Sequence, residues 1–243
     1  MPDPLRLALL ISGSGSTAAA IIAACADGGP LYGKIKPALL VSSAPDAGGI
    51  GKAVSGGIPT RDVAIIMPGK SPEQFGEKLL QALQGHAIDL IGQYGWMPKT
   101  PPAVVAAYHH RAINQHCGPL DPGRPDFGGQ GMYGLRVHCA RLYFARTIGR
   151  NLWTEATAQL VAAEFDAGPV LHRESLEILA DDTPLSLRDR LLPVEHQIQI
   201  ETLARYADGL RAPLPRITPL VLPQEQPVLR DAKRVARLLF PHG

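Results

Sequence analysis

The sequence predicts an α/β fold, a doubly wound and mostly parallel sheet with Rossmann-like topology. Its composition is that of a globular protein, 45% hydrophobic and 19% charged. Short apolar runs alternate with helix-forming segments, and the first run ends in a glycine turn that opens a helix.

Leu5 to Ile11 (LRLALLI) is nearly continuous in apolar residues, the pattern of a strand covered on both faces. Gly13 and Gly15 end it. Ser16 or Thr17 can cap a helix through Asp27, because AAAIIAACA is rich in helix formers and Gly28 and Gly29 stop it. A second strand is predicted over Lys36–Ser43, a short helix over Gly48–Gly56 and a third strand over Thr60–Ile66. Ser71 followed by Pro72, with Glu73 and Gln74 close behind, reads as a helix start, and that helix runs to about Gln84. Asp89–Gly92 supplies a central strand, Pro101 and Pro102 open a helix through Tyr108, and Ala112–Gln115 is the next strand.

Residues 117–136 hold six glycines and three prolines, too many for a regular element. A loop of this length inside a domain is usually functional or disordered. Beyond it a helix is expected over Val137–Gly149, strands over Thr154–Ala163 and Pro169–Ile178, and a long helix over Ser186–Tyr206 despite Pro193. Arg211–Pro227 contains five prolines and reads as an extended arm, followed by a short basic helix over Leu229–Leu239. The expected plan is one α/β domain over residues 1–210 and a Pro-rich arm with a short basic helix over 211–243.

Lys and Arg number 24 against 22 Asp and Glu, a formal charge of +2 that offers no broad attraction for a phosphate backbone or an anionic lipid surface. Neither nucleic acid nor a membrane is expected as a partner, and no run of about 18 apolar residues suggests a membrane span. The three cysteines, Cys25, Cys117 and Cys139, cannot close a disulfide framework, which fits a reducing, cytoplasmic setting.

Three places could carry chemistry. The turn Gly13-Ser14-Gly15-Ser16-Thr17 lets backbone amides approach an anion at a helix N-terminus, although a plain strand–helix turn needs the same residues. Its spacing also fits a dinucleotide fingerprint, but Val41-Ser42-Ser43 ends the second strand without an acidic residue for a ribose, so a phosphate without NAD is preferred. Asn114 and His116 lie where a central strand should end, the place where open α/β sheets put ligands. An Asn amide can donate to a carbonyl oxygen gaining charge and an imidazole can carry a proton, a pairing suited to acyl transfer. Asp166 stands in a sharp turn before an apolar strand. It either serves that turn or reaches His116, where its charge would favour the protonated ring. His116-Cys117 and His138-Cys139, with His109 and His110 nearby, raise a metal alternative, but adjacent ligands are poorly spaced and no metal is expected.

In their order along the chain, ISGSGST after the first strand, YGWM after DLIG, Asn114-x-His116, FDAGPV at 165–170 and Glu195-His196 resemble the folate-dependent formyltransferases, over about residues 5–210. The resemblance implies an enzyme that moves a formyl group from 10-formyltetrahydrofolate, a co-substrate, to a small phosphorylated amine. Glycinamide ribonucleotide of purine synthesis is the best-fitting acceptor. Asn114, His116 and Asp166 would be catalytic by this resemblance. Gly13, Ser14, Gly15, Ser16, Thr17 and Glu195 would hold the acceptor. Gly95, Trp96, Met97, Glu164 and Phe165 would line the folate site. A homodimer is compatible with it. The chain departs from the family where His-Pro-Ser-Leu-Leu-Pro usually follows the Asn: here His116-Cys117-Gly118-Pro119-Leu120-Asp121-Pro122 stands, with a longer Gly/Pro insert. Thr17 replaces a common Asn, and Gln159 replaces a His in the strand before the Asp. Formyl transfer to another amine such as an amino sugar, hydrolysis of formyltetrahydrofolate, and a non-catalytic folate- or nucleotide-binding module are the alternatives.

Overall fold

The computed structural model describes residues 3–243. They form two units, residues up to 115 with 199–211, and residues 116–198 with 212–243. The first contains β1 (Leu5–Ile11), α1 (Ser16–Ala24), β2 (Ile35–Ser42), α2 (Gly48–Ser55), β3 (Val63–Ile65), α3 (Pro72–Gly85), β4 (Leu90–Gln93), α4 (Pro102–Ala107) and β5 (Ala112–His116), whose last residue opens the second unit. These strands run β3-β2-β1-β4-β5, every pair parallel. Leu7–Ile11 and Leu39–Val41 are fully buried, which is why neither strand shows a polar face in its sequence. Strand order reverses between β1 and β4, making the carboxyl ends of these two neighbours the switch point of the sheet.

Local chemistry moves several boundaries. Helix α1 stops at Ala24 rather than Asp27, because the chain turns back and the Leu31 N–H donates to the Ala24 carbonyl at 2.9 Å. Gly15, in the left-handed region at φ 61°, takes the N-cap position, and neither Ser16 nor Thr17 caps the helix as expected. The predicted strand over Thr60–Ile66 shrinks to β3, since Thr60–Asp62 winds into a 3-10 turn closed by the Asp62 N–H on the Pro59 carbonyl at 2.8 Å. Ser71 does cap α3, its Oγ accepting from the Gln74 N–H at 3.2 Å.

The second unit contains α5 (Leu135–Ile148), the antiparallel pair β6 (Trp153–Leu160) and β7 (Val170–Glu177), most of α6 (Pro184–Ala207), and α7 (Gln226–Leu239). The full sheet has seven strands in the order β3-β2-β1-β4-β5-β6-β7. Thr183 and Ser186 open α6 reciprocally: each hydroxyl accepts the other's N–H, at 3.1 and 2.9 Å. Pro193 sits inside α6 without ending it. Helix α7 starts three residues before the predicted Leu229, since Pro227 is compatible with a first helical turn.

The loop after β5 and the Pro-rich arm are packed structure. Phe127 and Met132 of the loop share a core with Val137, Ala140 and Phe144 of α5, Leu220 and Val221 of the arm, and Leu229, Ala232 and Ala236 of α7. Arg141 of α5 is buried there, its guanidinium 5.1 Å from the ring centres of both Phe127 and Trp153. Along the arm, the Leu214 N–H donates to the Val170 carbonyl at 2.7 Å, while Arg216 pairs with buried Glu155 and donates to the Leu120 carbonyl at 2.8 Å. Among the described residues no helix is long and apolar enough to cross a membrane.

Candidate active site

In the first unit, both segments expected to bind substrate leave the switch point. Gly13–Thr17 follows β1, and Gly95–Met97 follows β4. Ser12 joins them: its N–H donates to the Gly95 carbonyl at 3.0 Å, and its Oγ accepts from the Met97 N–H at 2.9 Å. Ser12 Oγ also lies 2.6 Å from Ser43 Oγ at the end of β2. Gly15 is required twice over, by its positive φ and because a Cβ there would lie 2.5 Å from the Gly49 Cα of α2. Gly13 and Ser14 are exposed, Ser16 is half-buried and Thr17 is buried, so the two residues before Gly15 are the ones open to a ligand. Trp96 is buried and stacked on Phe75 at 6.2 Å between ring centres, whereas Met97 is exposed.

Asn114 and His116 are two residues apart on β5, so their side chains leave the same face of the strand. In the second unit, His116 Nδ1 lies 3.6 Å from Asp166 Oδ1, an ion-pair distance rather than a hydrogen bond. Both atoms of the Asp166 carboxylate are held by other donors. Gln159 Nε2 donates to Oδ1 at 2.9 Å, and the Gly129 N–H donates to Oδ2 at 2.8 Å. Asp166 itself has φ 57°, so it also serves its turn in the left-handed conformation that Asp tolerates better than most residues. The opposite ring nitrogen, His116 Nε2, is buried and makes no hydrogen bond among the described residues. A buried polar atom in that state fits an arriving carbonyl oxygen.

Three groups around this pair escape a reading of the sequence. Gln159, seen there only as a departure, is a direct donor to Asp166, and a register irregularity between Ala158 and Gln159 marks the point in β6 where it projects. Gly128 and Gly129 bring the loop backbone against Asp166; the Gly-Gly pair inside a long loop was the available signal. Asp126 accepts from the Asp121 and Gly128 N–H groups at 2.8 and 2.9 Å. Burial pushes its carboxyl up, against the pull of those bonds and of the His116 and Lys233 charges.

Glu195 is buried on α6, close enough for its charge to act on Cys117. Burial, and then the Glu195 and Asp166 charges, hold the Cys117 thiol well above its ordinary range, so a thiolate is disfavoured beside His116. Glu164 and Phe165, just before Asp166, are exposed. His138 is buried on α5, and desolvation, helped by the His116 and Arg188 charges, lowers its pKa to about 3. Among the described residues no group of three or more His, Cys, Asp or Glu could hold a metal ion.

A doubly wound sheet with a glycine turn at its switch point defines an α/β protein of the Rossmann-like class. The formyl transferase family matches residues 5–203, and the chain belongs to it. A chloroplastic phosphoribosylglycinamide formyltransferase of Arabidopsis thaliana is 31% identical over 205 residues, 83% of this chain and 65% of that protein. The chain therefore spans just under two thirds of that relative's length. The phosphoribosylglycinamide formyltransferase of Escherichia coli (strain K12) is 28% identical over 207 residues, 84% of this chain and 88% of that one. Among solved structures, glycinamide ribonucleotide transformylase 1 from Symbiobacterium toebii superposes with a TM-score of 0.72 at 28% identity, covering 85% of this chain and 89% of its own.

Proposed function

We propose that the protein transfers the formyl group of 10-formyltetrahydrofolate to the amine of glycinamide ribonucleotide, a step of purine synthesis carried out in the cytoplasm. The observation that supports this reading is the imidazole itself: Asp166 faces Nδ1 of His116, while Nε2 is buried without a hydrogen-bond partner among the described residues. The names of the relatives supply the acceptor.

In this mechanism the amine attacks the formyl carbon, the carbon–N10 bond of the folate breaks, and the amine proton leaves as N10 gains one. Asn114 donates its amide N–H and His116 donates from Nε2 to the oxygen that becomes an oxyanion. Asp166 faces the opposite ring nitrogen of His116 and takes the amine proton through water on its way to N10. Gly13, Ser14, Gly15, Ser16 and Thr17 cradle the acceptor phosphate at the N-terminus of α1, and Glu195 holds the rest of the ribonucleotide. Gly95, Trp96, Met97, Glu164 and Phe165 line the folate site. The mechanism uses no metal, nucleic acid or membrane, and a homodimer is compatible with it. Holding both substrates together removes much of the entropic barrier.

The rewritten segment Cys117–Pro122 favours one second reading, transfer to a different small amine. The test mixes purified protein with 10-formyltetrahydrofolate and either glycinamide ribonucleotide, an amino-sugar phosphate or no acceptor, and follows folate deformylation and formylated product together. Product with the ribonucleotide alone is expected. Product with the amino sugar alone supports the second reading, deformylation without acceptor indicates a hydrolase, and folate binding without turnover overturns both.

A further inference from the structure

We propose that Lys233, on the C-terminal helix α7, is a positioning residue for Asp166, acting through the single peptide group between Gly128 and Gly129. The proposal rests on the function proposed above. It concerns a part of the chain outside residues 5–203, the span matched by the family.

The two ends of that peptide group are used in opposite directions. Lys233 Nζ donates to the Gly128 carbonyl at 2.7 Å, and the Gly129 N–H donates to Asp166 Oδ2 at 2.8 Å. A trans peptide is planar, with its C=O and N–H pointing oppositely, so ammonium, peptide dipole and carboxylate stand in line: positive charge, dipole, negative charge. The ammonium polarises the carbonyl and strengthens the N–H as a donor to Asp166, and each bond reinforces the other in a low-dielectric setting.

The rest of the second unit fixes this line in place. Arg237 of α7 donates to the Gln130 carbonyl at 3.1 Å, and Arg136 of α5 donates to the Gly131 carbonyl at 2.9 Å. Arg136 also reaches past α7, donating to the Phe240 and Pro241 carbonyls at 2.8 and 2.6 Å. The Gly128, Gln130 and Gly131 carbonyls thus each accept from a cationic side chain, while the Gly129 N–H donates to the carboxylate. Leu229, Ala232 and Ala236 bury the adjoining face of α7 in the core that contains Phe127, two residues before Gly129. The charges facing Lys233 are Asp126, Arg237 and Asp166, the two carboxylates favouring its ammonium form against the cost of burial.

The test uses the full chain with Lys233→Met, Lys233→Gln, Lys233→Arg, Asp166→Asn and the Lys233→Met/Asp166→Asn double variant. Removing the ammonium should lower kcat about ten- to a hundredfold with both KM values nearly unchanged, as expected for a misplaced catalytic group. Lys233→Arg should restore most of the rate. In the Asp166→Asn background, Lys233→Met should cost nothing further, because both changes break one line. Full additivity, or a loss confined to KM, overturns the proposal. Amide hydrogen exchange gives a readout independent of turnover: the Gly129 N–H should exchange about tenfold faster in Lys233→Met and Lys233→Gln while amides of β6 and α5 keep their protection. Unchanged Gly129 exchange overturns the positioning role even if the wild-type protein transfers no formyl group, in which case the functional reading fails separately.

Discussion

Replacing Gly128 with Ala places one methyl group against the carboxylate that faces His116 Nδ1. A Cβ at this position would lie 2.6 Å from both Asp166 Cβ and Leu120 Cδ2, and 3.1 Å from Asp166 Oδ2. Carbon atoms settle at about 3.5–4.0 Å, so roughly 1 Å of movement is demanded. Leu120 is fully buried, which leaves the Asp166 side chain and the loop backbone to give way. Either movement separates Asp166 Oδ2 from the Gly129 N–H. A hydrogen bond to a charged group contributes about 1.5–3 kcal/mol, which corresponds to roughly ten- to a hundredfold in rate if it is lost at the transition state. Overpacking adds about 1–3 kcal/mol of destabilisation, and a chain of this size loses roughly 2–4 °C in Tm per kcal/mol. The assay is steady-state formyl transfer with both substrates varied, alongside thermal unfolding. The expected variant is folded, with a Tm lower by several degrees, a strongly reduced kcat and little change in either KM. A kcat within about twofold of the parent would refute the claim that the loop backbone sets the Asp166 position.

Two further outcomes are expected. Gly15→Val forces a side chain into a left-handed position 2.5 Å from the Gly49 Cα, so the acceptor KM should rise at least about tenfold and Tm should fall; unchanged acceptor affinity, measured by calorimetry, would remove the turn from the site. His138, with its pKa lowered to about 3 in the fold against 6.5 in an unfolded chain, stays neutral while the unfolded state takes up a proton, so its contribution is complete above about pH 6.5 and declines as pH falls toward 3. By pH 5 the loss is about 2 kcal/mol, and chemical denaturation of wild type and His138→Gln at pH 7 and 5 should show a smaller pH dependence in the variant; identical dependence would contradict the assignment.

The order of elements was legible because burial wrote it plainly. Leu5–Ile11 needed no polar face, and the Ser71-Pro72 pair announced α3 through capping and a fixed φ. What misled was longer-range backbone bonding: no local preference at Ala24 foretells that Leu31 will return to its carbonyl and end α1. The site divides in the same way. Gly13–Thr17, Asn114, His116 and Asp166 could be proposed because residue types suited to the expected chemistry stand there after a strand, at a strand end or in a sharp turn. Gly129 and Gln159 could not, since their contacts to Asp166 join residues 37 and 7 positions apart whose meeting depends on how the loop and the β6–β7 turn fold. Lys233 lay further still from view, 105 residues from the carbonyl it holds, in a helix whose sequence reads only as short and basic.

The central claim is that His116, oriented by Asp166, drives formyl transfer. Single-turnover reaction of 10-formyltetrahydrofolate with glycinamide ribonucleotide, at saturating concentrations of both, should be compared for wild type, His116→Ala and Asp166→Asn. Each substitution is expected to lower the chemical rate by about two orders of magnitude or more while binding of the two substrates is retained. Equal single-turnover rates in all three proteins would contradict the account.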